Sequence, residues 1–177
     1  VGSRAYYRAT GDFNMRTGEN AAARVNLMIN KADNGGARID KGGIAPGYSW
    51  GIDTPDEFYI GLYYLNVDNI PFPPLRWLGG TIPQVKPGKF YGLASDILKG
   101  EALQGTVQYN HKFSDGGQLK TALRNGNFDR TQWSTAGGYA VGKTPANLND
   151  STVVTRAGLT PRQDTHNNSS FQSAPSD

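Results

Sequence analysis

The chain has no cysteine, and that one absence removes disulfide scaffolds, thiolate zinc sites and cysteine nucleophiles. Histidine is nearly as scarce. His111 and His166 are the whole supply, so no paired-histidine metal motif can be written. Charge of one sign is also lacking: 18 basic and 15 acidic residues are dispersed along the chain for a formal net charge of +3, which argues against a nucleic-acid arm or an acidic tail. Apolar runs stop after a few residues, far short of the roughly 18 that a transmembrane helix needs. A membrane-spanning β-barrel is not excluded by that shortage. Val1 opens the chain with no initiator Met, charged n-region or apolar h-region. The polar stretch 167–177 shows no closing element, so the 177 residues read as an excerpt of a longer protein.

What is present is glycine (23), proline (10) and aromatics (9 Tyr, 7 Phe, 3 Trp), arranged with a period of two rather than 3.6. The clearest segment is 103–113. Leu103, Gly105, Val107, Tyr109, His111 and Phe113 share one side, against Gln104, Thr106, Gln108, Asn110 and Lys112 on the other. In 21–31, Ala23, Val25, Leu27 and Ile29 separate from Arg24, Asn26, Met28 and Asn30. The opening segment alternates likewise, with Ala5, Tyr7, Ala9 and Phe13 against Arg4, Arg8, Thr10, Asp12 and Asn14. Segments 44–52 (Ile44, Tyr48, Trp50, Ile52), 58–66 (Phe58, Ile60, Leu62, Tyr64) and 119–130 complete a count of about six strands.

Alternation suits any sheet with one wet face, a soluble sandwich included. The connections discriminate better. Residues 15–19, 53–56 (Asp-Thr-Pro-Asp) and 114–118 (Ser-Asp-Gly-Gly-Gln) are short and carry turn chemistry. Residues 32–42, 69–100 and everything from about Thr131 onward read as long connections, so short and long alternate. Long structureless loops are uncommon in compact soluble domains but are expected on the outer side of an outer-membrane barrel. Phe13, Trp50, Phe58 and Phe113 flank the short turns on the apolar faces, where an interfacial aromatic girdle would place them. Six strands are too few to close a barrel, whose smallest common form has about eight.

Several stretches resemble the early barrel of TonB-dependent siderophore receptors. Residues 8–14 (Arg-Ala-Thr-Gly-Asp-Phe-Asn) and 21–28 (Ala-Ala-Ala-Arg-Val-Asn-Leu-Met) are similar to an early hairpin of that barrel. Residues 44–51 (Ile-Ala-Pro-Gly-Tyr-Ser-Trp-Gly), Thr54-Pro55, 63–65 and 68–71 follow in order. Residues 90–96 (Phe-Tyr-Gly-Leu-Ala-Ser-Asp) and 119–126 (Leu-Lys-Thr-Ala-Leu-Arg-Asn-Gly) resemble the catecholate siderophore receptor branch. The resemblance implies an all-β, antiparallel transmembrane β-barrel. Residues 1–177 would form a partial barrel domain, about strands two to seven of roughly 22, with the plug domain and the remaining barrel outside it. It also implies TonB-dependent uptake of ferric siderophores in the bacterial outer membrane. The expected partners are the ferric siderophore, outer-membrane lipid and, through the plug, the TonB complex; nucleic acid is not one. No cofactor or resident metal is expected, and iron enters only within the substrate. The stretch 72–77 (Phe-Pro-Pro-Leu-Arg-Trp) departs from the more acidic, Gly-containing pattern expected there.

Ferric catecholates are anionic and aromatic, so their site should offer cations and flat π surfaces. Between Asn69 and Gly100 stand Arg76, Lys86, Lys89 and Lys99 against the single acid Asp96, interleaved with Phe72, Trp77, Phe90 and Tyr91. Arg76, Trp77, Lys86, Lys89, Phe90 and Tyr91 are the candidate substrate contacts. Arg4, Arg8, Asp12, Arg24, Gln104, Gln108, Lys112 and Arg124 are the candidate lumen and plug-facing residues. No catalytic residues are assigned: Asp53 and Asp56 occupy a turn that suits Asp for backbone reasons, and no Gly-rich stretch has phosphate-binding spacing. The alternative is a soluble or surface-exposed β-sheet module that binds carbohydrate-like ligands.

Overall fold

A computed structural model describes residues 5–73, 79–80, 86 and 89–176. They form one antiparallel sheet of seven strands in sequence order: β1 (Tyr7–Gly18), β2 (Ala21–Asn34), β3 (Ala37–Trp50), β4 (Asp56–Asn69), β5 (Ile97–Lys112), β6 (Gln118–Tyr139) and β7 (Val154–Ser176), with a 3-10 turn at Pro145–Asn147. No helix among the described residues is long and apolar enough to cross a membrane.

The register sorts the side chains onto two faces. Trp50 pairs with Phe58 and Phe58 with Tyr109; Tyr48, Ile60, Val107, Leu123 and Phe171 form the next row on that face. The opposite face carries Asp12, Asn26, Gln104, Arg124 and Ser170. Among the described residues nothing packs on the apolar face. Phe13 is 62% exposed, Leu62 54%, Leu123 54% and Phe171 71%, and the only buried hydrophobic residues described are Ala32, Ala37 and Leu148. A soluble sandwich would cover this face with a second sheet from the same chain, and the described residues contain a single sheet. Each large side chain on it gains roughly 1.5–3 kcal/mol on leaving water, so the face demands an apolar surrounding.

The apolar band also crosses the register obliquely. On β2 it reaches up to Ile29, whose row continues through Gly42, Asn66, Glu101 and Asp129 to Thr165. On β6 and β7 it has dropped to Leu119, Leu123, Phe171 and Pro175. A level band drawn across strands tilted by about 35–45° descends through the register in this way.

The three short turns lie at one end of the sheet. Thr54 closes the second, donating N–H (3.0 Å) and Oγ1 (2.7 Å) to the Gly51 carbonyl. The third closes by Phe113 N–H to the Gly117 carbonyl at 2.8 Å. Beside them an aromatic row stacks Tyr48 on Trp50 (6.0 Å), Trp50 on Phe58 (5.2 Å) and Phe58 on Tyr109 (4.9 Å), with His111 edge-on to Phe113 (4.5 Å). Phe13 lies on the same face but outside the stack.

Two sequence expectations are corrected. Residues 32–42 are not a long connection: β2 and β3 run on as a ladder to a two-residue turn, Gly35–Gly36, with φ of 64° and 123°. Its outward residues are ion-paired, Lys31 with Asp40 (3.1 Å) and Arg38 with Asp68 (3.1 Å). The stretch from Thr131 onward is not one long connection either. β6 continues to Tyr139 and β7 pairs along its whole length. Polar residues interrupt both faces there, with Trp133 and Phe171 isolated among them, so the ladder carries little hydrophobic alternation to read. At 22 and 23 residues these strands are about twice the 9–11 residues that a crossing needs. Their far halves stand beyond the band, on the side of the long connections 70–96 and 140–153.

Candidate ligand-binding loops

Among the described residues the few buried side chains gather beyond the band, where the long connections meet the strand ends. Asp96 is 1% exposed, Thr135 5%, Asn69 8% and Thr152 8%. Asp96 is the anchor of the first connection. Thr135 Oγ1 on β6 donates to its Oδ1 (2.7 Å) and the Leu93 N–H to its Oδ2 (3.1 Å), while its own N–H donates to the Leu93 carbonyl (3.0 Å). This ties the segment 89–93 to the strand wall. Asn69 holds the start of the same connection by accepting the Asp40 N–H (2.9 Å).

Phe90 packs across this anchor. Its ring meets Phe72 edge-on at 6.1 Å and lies over the Gly36 turn closely enough that a Cβ there would overlap it. A Cβ on Gly92 would stand 2.6 Å from the same ring. The glycines at the hairpin tip and at position 92 are therefore what lets the first connection lie down on the β2–β3 hairpin.

The second connection supplies the polar partner. Asp150 accepts the Lys86 N–H at Oδ1 (2.7 Å) and faces Lys86 Nζ at Oδ2 (3.6 Å); the Lys89 ammonium donates to the Asp150 backbone carbonyl. Lys89 Nζ also lies 5.2 Å from the Tyr91 ring centroid, within the range of a cation–π contact. The Tyr91 hydroxyl is buried with no hydrogen-bond partner. Burial pushes its pKa up, and the nearby Asp150 carboxylate and Tyr139 add to the rise. Burial raises Tyr139 as well.

Of the candidate contacts, Lys86, Lys89, Phe90 and Tyr91 thus come together in one loop cluster, and Arg76 and Trp77 lie outside the described residues. The positive surplus read from the sequence is not a free one. Lys86 and Lys89 are engaged by Asp150, and Lys99 lies on the apolar-side face, 3.8 Å from Asp68. Arg8, Asp12, Arg24, Gln104, Gln108, Lys112 and Arg124 all share the polar face, while Arg4 lies outside the described residues. Arg24 forks onto Asp12 (2.9 and 2.6 Å), and Lys112 meets Glu57 (2.6 Å).

Sequence reasoning missed Asp150, Thr135 and Tyr139, which belong to the stretch read as one long connection from Thr131 onward. It also missed a polar-face triad in which Arg130 (2.7 Å) and Arg162 (2.6 Å) share the single carboxylate of Asp164. The i, i+2 spacing of Arg162 and Asp164 was the available signal, since it puts both on one face of a strand. Among the described residues no group of three or more His, Cys, Asp or Glu could hold a metal ion.

One sheet with an uncovered, oblique apolar band, polar on its other face and with long connections at one end, defines the class: a segment of an outer-membrane β-barrel wall. It has the fold of the TonB-dependent siderophore receptor barrel. The crystal structure of the siderophore receptor PiuA from Acinetobacter baumannii superposes with a TM-score of 0.88 at 24% identity over 99% of this chain and 26% of that one. The ferric-catecholate import receptor Fiu from Escherichia coli K12, open form, gives 0.74 at 20% identity over 99% and 29%. In sequence the chain is similar to the probable TonB-dependent siderophore receptor PiuA of A. baumannii, 32% identical over 127 residues, which are 65% of this chain and 17% of that protein. It is also similar to the catecholate siderophore receptor Fiu of E. coli K12, 26% identical over 151 residues, or 76% and 19%. No protein-family model matches. The resemblance read from the sequence is borne out by both comparisons. The chain spans less than a fifth of the length of these curated relatives, and both relatives are named as receptors rather than enzymes.

Proposed function

We propose that this chain is the early barrel wall, with its extracellular connections, of an outer-membrane receptor that takes up ferric siderophores at the expense of TonB. A catecholate complex is the favoured substrate. The observation that carries the reading is the uncovered apolar band on a single sheet whose long, anchored connections all lie beyond one edge of that band. Lipid covers such a face, and a ligand arriving from outside meets the connections first. The cluster of Lys86, Lys89, Phe90 and Tyr91 offers ammonium groups and ring faces to an anionic, aromatic complex. Arg76 and Trp77 extend the same chemistry along the chain. The polar-face residues, Arg8 to Arg124, suit contact with a plug that fills the lumen, and the TonB complex would be reached through that plug. Nothing in this chemistry calls for bond making or breaking. The carbohydrate-binding alternative needs a second layer over the apolar face, and no observation favours it.

The test is Arg76→Glu with Lys89→Glu in a full-length receptor carrying this segment. Charged hydrogen bonds contribute about 1.5–3 kcal/mol each, so losing and reversing them should weaken ferric-catecholate binding at least about tenfold, with heat-resistant barrel assembly unchanged. Unaltered affinity would remove these connections from the site.

A further inference from the structure

Asp150 sits where an anionic ligand would. It takes the Lys86 backbone N–H (2.7 Å) and faces the Lys86 ammonium (3.6 Å) with its carboxylate, and it takes the Lys89 ammonium with its carbonyl. These are two of the cations that the proposed function assigns to substrate. The carboxylate belongs to a different connection from the lysines, so the pairing is a docking of one loop on another and not a local turn. The docked arrangement is also incompletely satisfied, because the Tyr91 hydroxyl beside it is buried without a partner. A buried donor of this kind is a standing cost that an incoming acceptor relieves.

We propose that Asp150 is a specificity-determining residue that acts as a built-in competitor: a ligand gains the Lys86 ammonium only by offering it more negative charge than the Asp150 carboxylate does, and Lys89 only by displacing the Asp150 carbonyl. The inference rests on the receptor reading above. An anion that displaces Asp150 collects two ammonium groups and places an acceptor within reach of the Tyr91 hydroxyl. A neutral complex collects neither and leaves the loops paired. The Lys86 side chain is 81% exposed and that of Asp150 44%, and exposed pairs of this kind are weak. The filter is therefore shallow, worth about two- to fivefold in affinity, and it falls as salt rises.

The experiment compares Asp150→Asn, Asp150→Glu and the double variant Lys86→Gln with Lys89→Gln in the full-length receptor, in outer-membrane preparations. The probes are a triply charged ferric tris-catecholate and an uncharged ferric tris-hydroxamate. Asp150→Asn should tighten catecholate binding about two- to fivefold at low salt, with the gain shrinking in high salt. Asp150→Glu should stay near the parent, hydroxamate binding should not move, and the lysine variant should weaken the catecholate. If the lysine variant weakens binding while Asp150→Asn leaves it unchanged or weakens it too, Asp150 merely positions the lysines. The competitor is then overturned and the receptor site stands. A lysine variant that binds like the parent overturns both the competitor and the place of these lysines in the site.

Discussion

At the scale of single residues, the loop cluster depends on one buried carboxylate. Asp96 has hydrogen-bond donors on both oxygens and 1% exposure, so Asp96→Ala leaves the Thr135 hydroxyl and the Leu93 N–H without an acceptor. Each such loss costs about 1–3 kcal/mol. Segment 89–93 should then become sensitive to added protease on intact cells, while Asp96→Asn, which keeps one acceptor, should lie between it and the parent. Tyr91 sets a pH limit on the same cluster. Its phenol is raised in the docked loop by burial, then by Asp150 and Tyr139. Below a phenol's ordinary value of about 10 the group is neutral whether docked or free, so docking loses nothing. As pH climbs past that value the free loop ionises first and the docked state loses stability. Protease sensitivity should rise steeply above about pH 10, and Tyr91→Phe should flatten that rise in part, with Tyr139 supplying the remainder.

At the scale of elements, what a position tolerates depends on its height along a strand as much as on its face. Leu123 and Asn167 lie on the same face of neighbouring strands, one within the band and one beyond it. Leu123→Arg should cost about 2–4 kcal/mol in a bilayer unfolding titration and Asn167→Arg about 0–1. Equal costs would mean that the band does not follow the oblique path described. The β2–β3 hairpin gives a second contrast at its tip. Gly36 has a φ of 123° and lies under the Phe90 ring, so Gly36→Val should release the first connection as Asp96→Ala does. Gly35 has open space around it and a φ of 64°, a conformation that Asn adopts at modest cost; Gly35→Asn should leave the loop docked.

At the scale of the whole molecule, the sheet divides its tasks by height. The turn end holds the stacked aromatic row and the middle holds the apolar band. The far end holds the only buried side chains described, with both long connections tied to them. Uptake is proposed for the receptor as a whole, of which this chain spans less than a fifth in the curated relatives. Within that receptor, deleting 140–153 should release Lys86 and Lys89 from Asp150, remove the packing of Leu148 and loosen 70–96 in hydrogen exchange, while the barrel still folds. Undisturbed exchange in 70–96 would show that the two connections are independent.

Sequence alternation alone sorts the strand residues onto the uncovered apolar face and the polar face. A strand alternates strictly, and most residues of 103–113 declare their side by polarity because one face is apolar and the other polar. The short turns were legible for a related reason, since Gly, Asp and Pro at those positions answer to backbone geometry alone. The same logic hid the far halves of β6, β7 and the β2–β3 ladder, since beyond the band both faces are wet and alternation carries little contrast; the near half of β7 was hidden because Ser169 and Ser173 share its apolar side with Phe171 and Pro175. Only the tertiary structure decided the state of the candidate cations. Lys86, Lys89 and Lys99 are neighbours in a basic stretch of sequence, yet two of them meet Asp150 from another connection and the third meets Asp68 on the neighbouring strand, because a charge is neutralised by what lies near it in space.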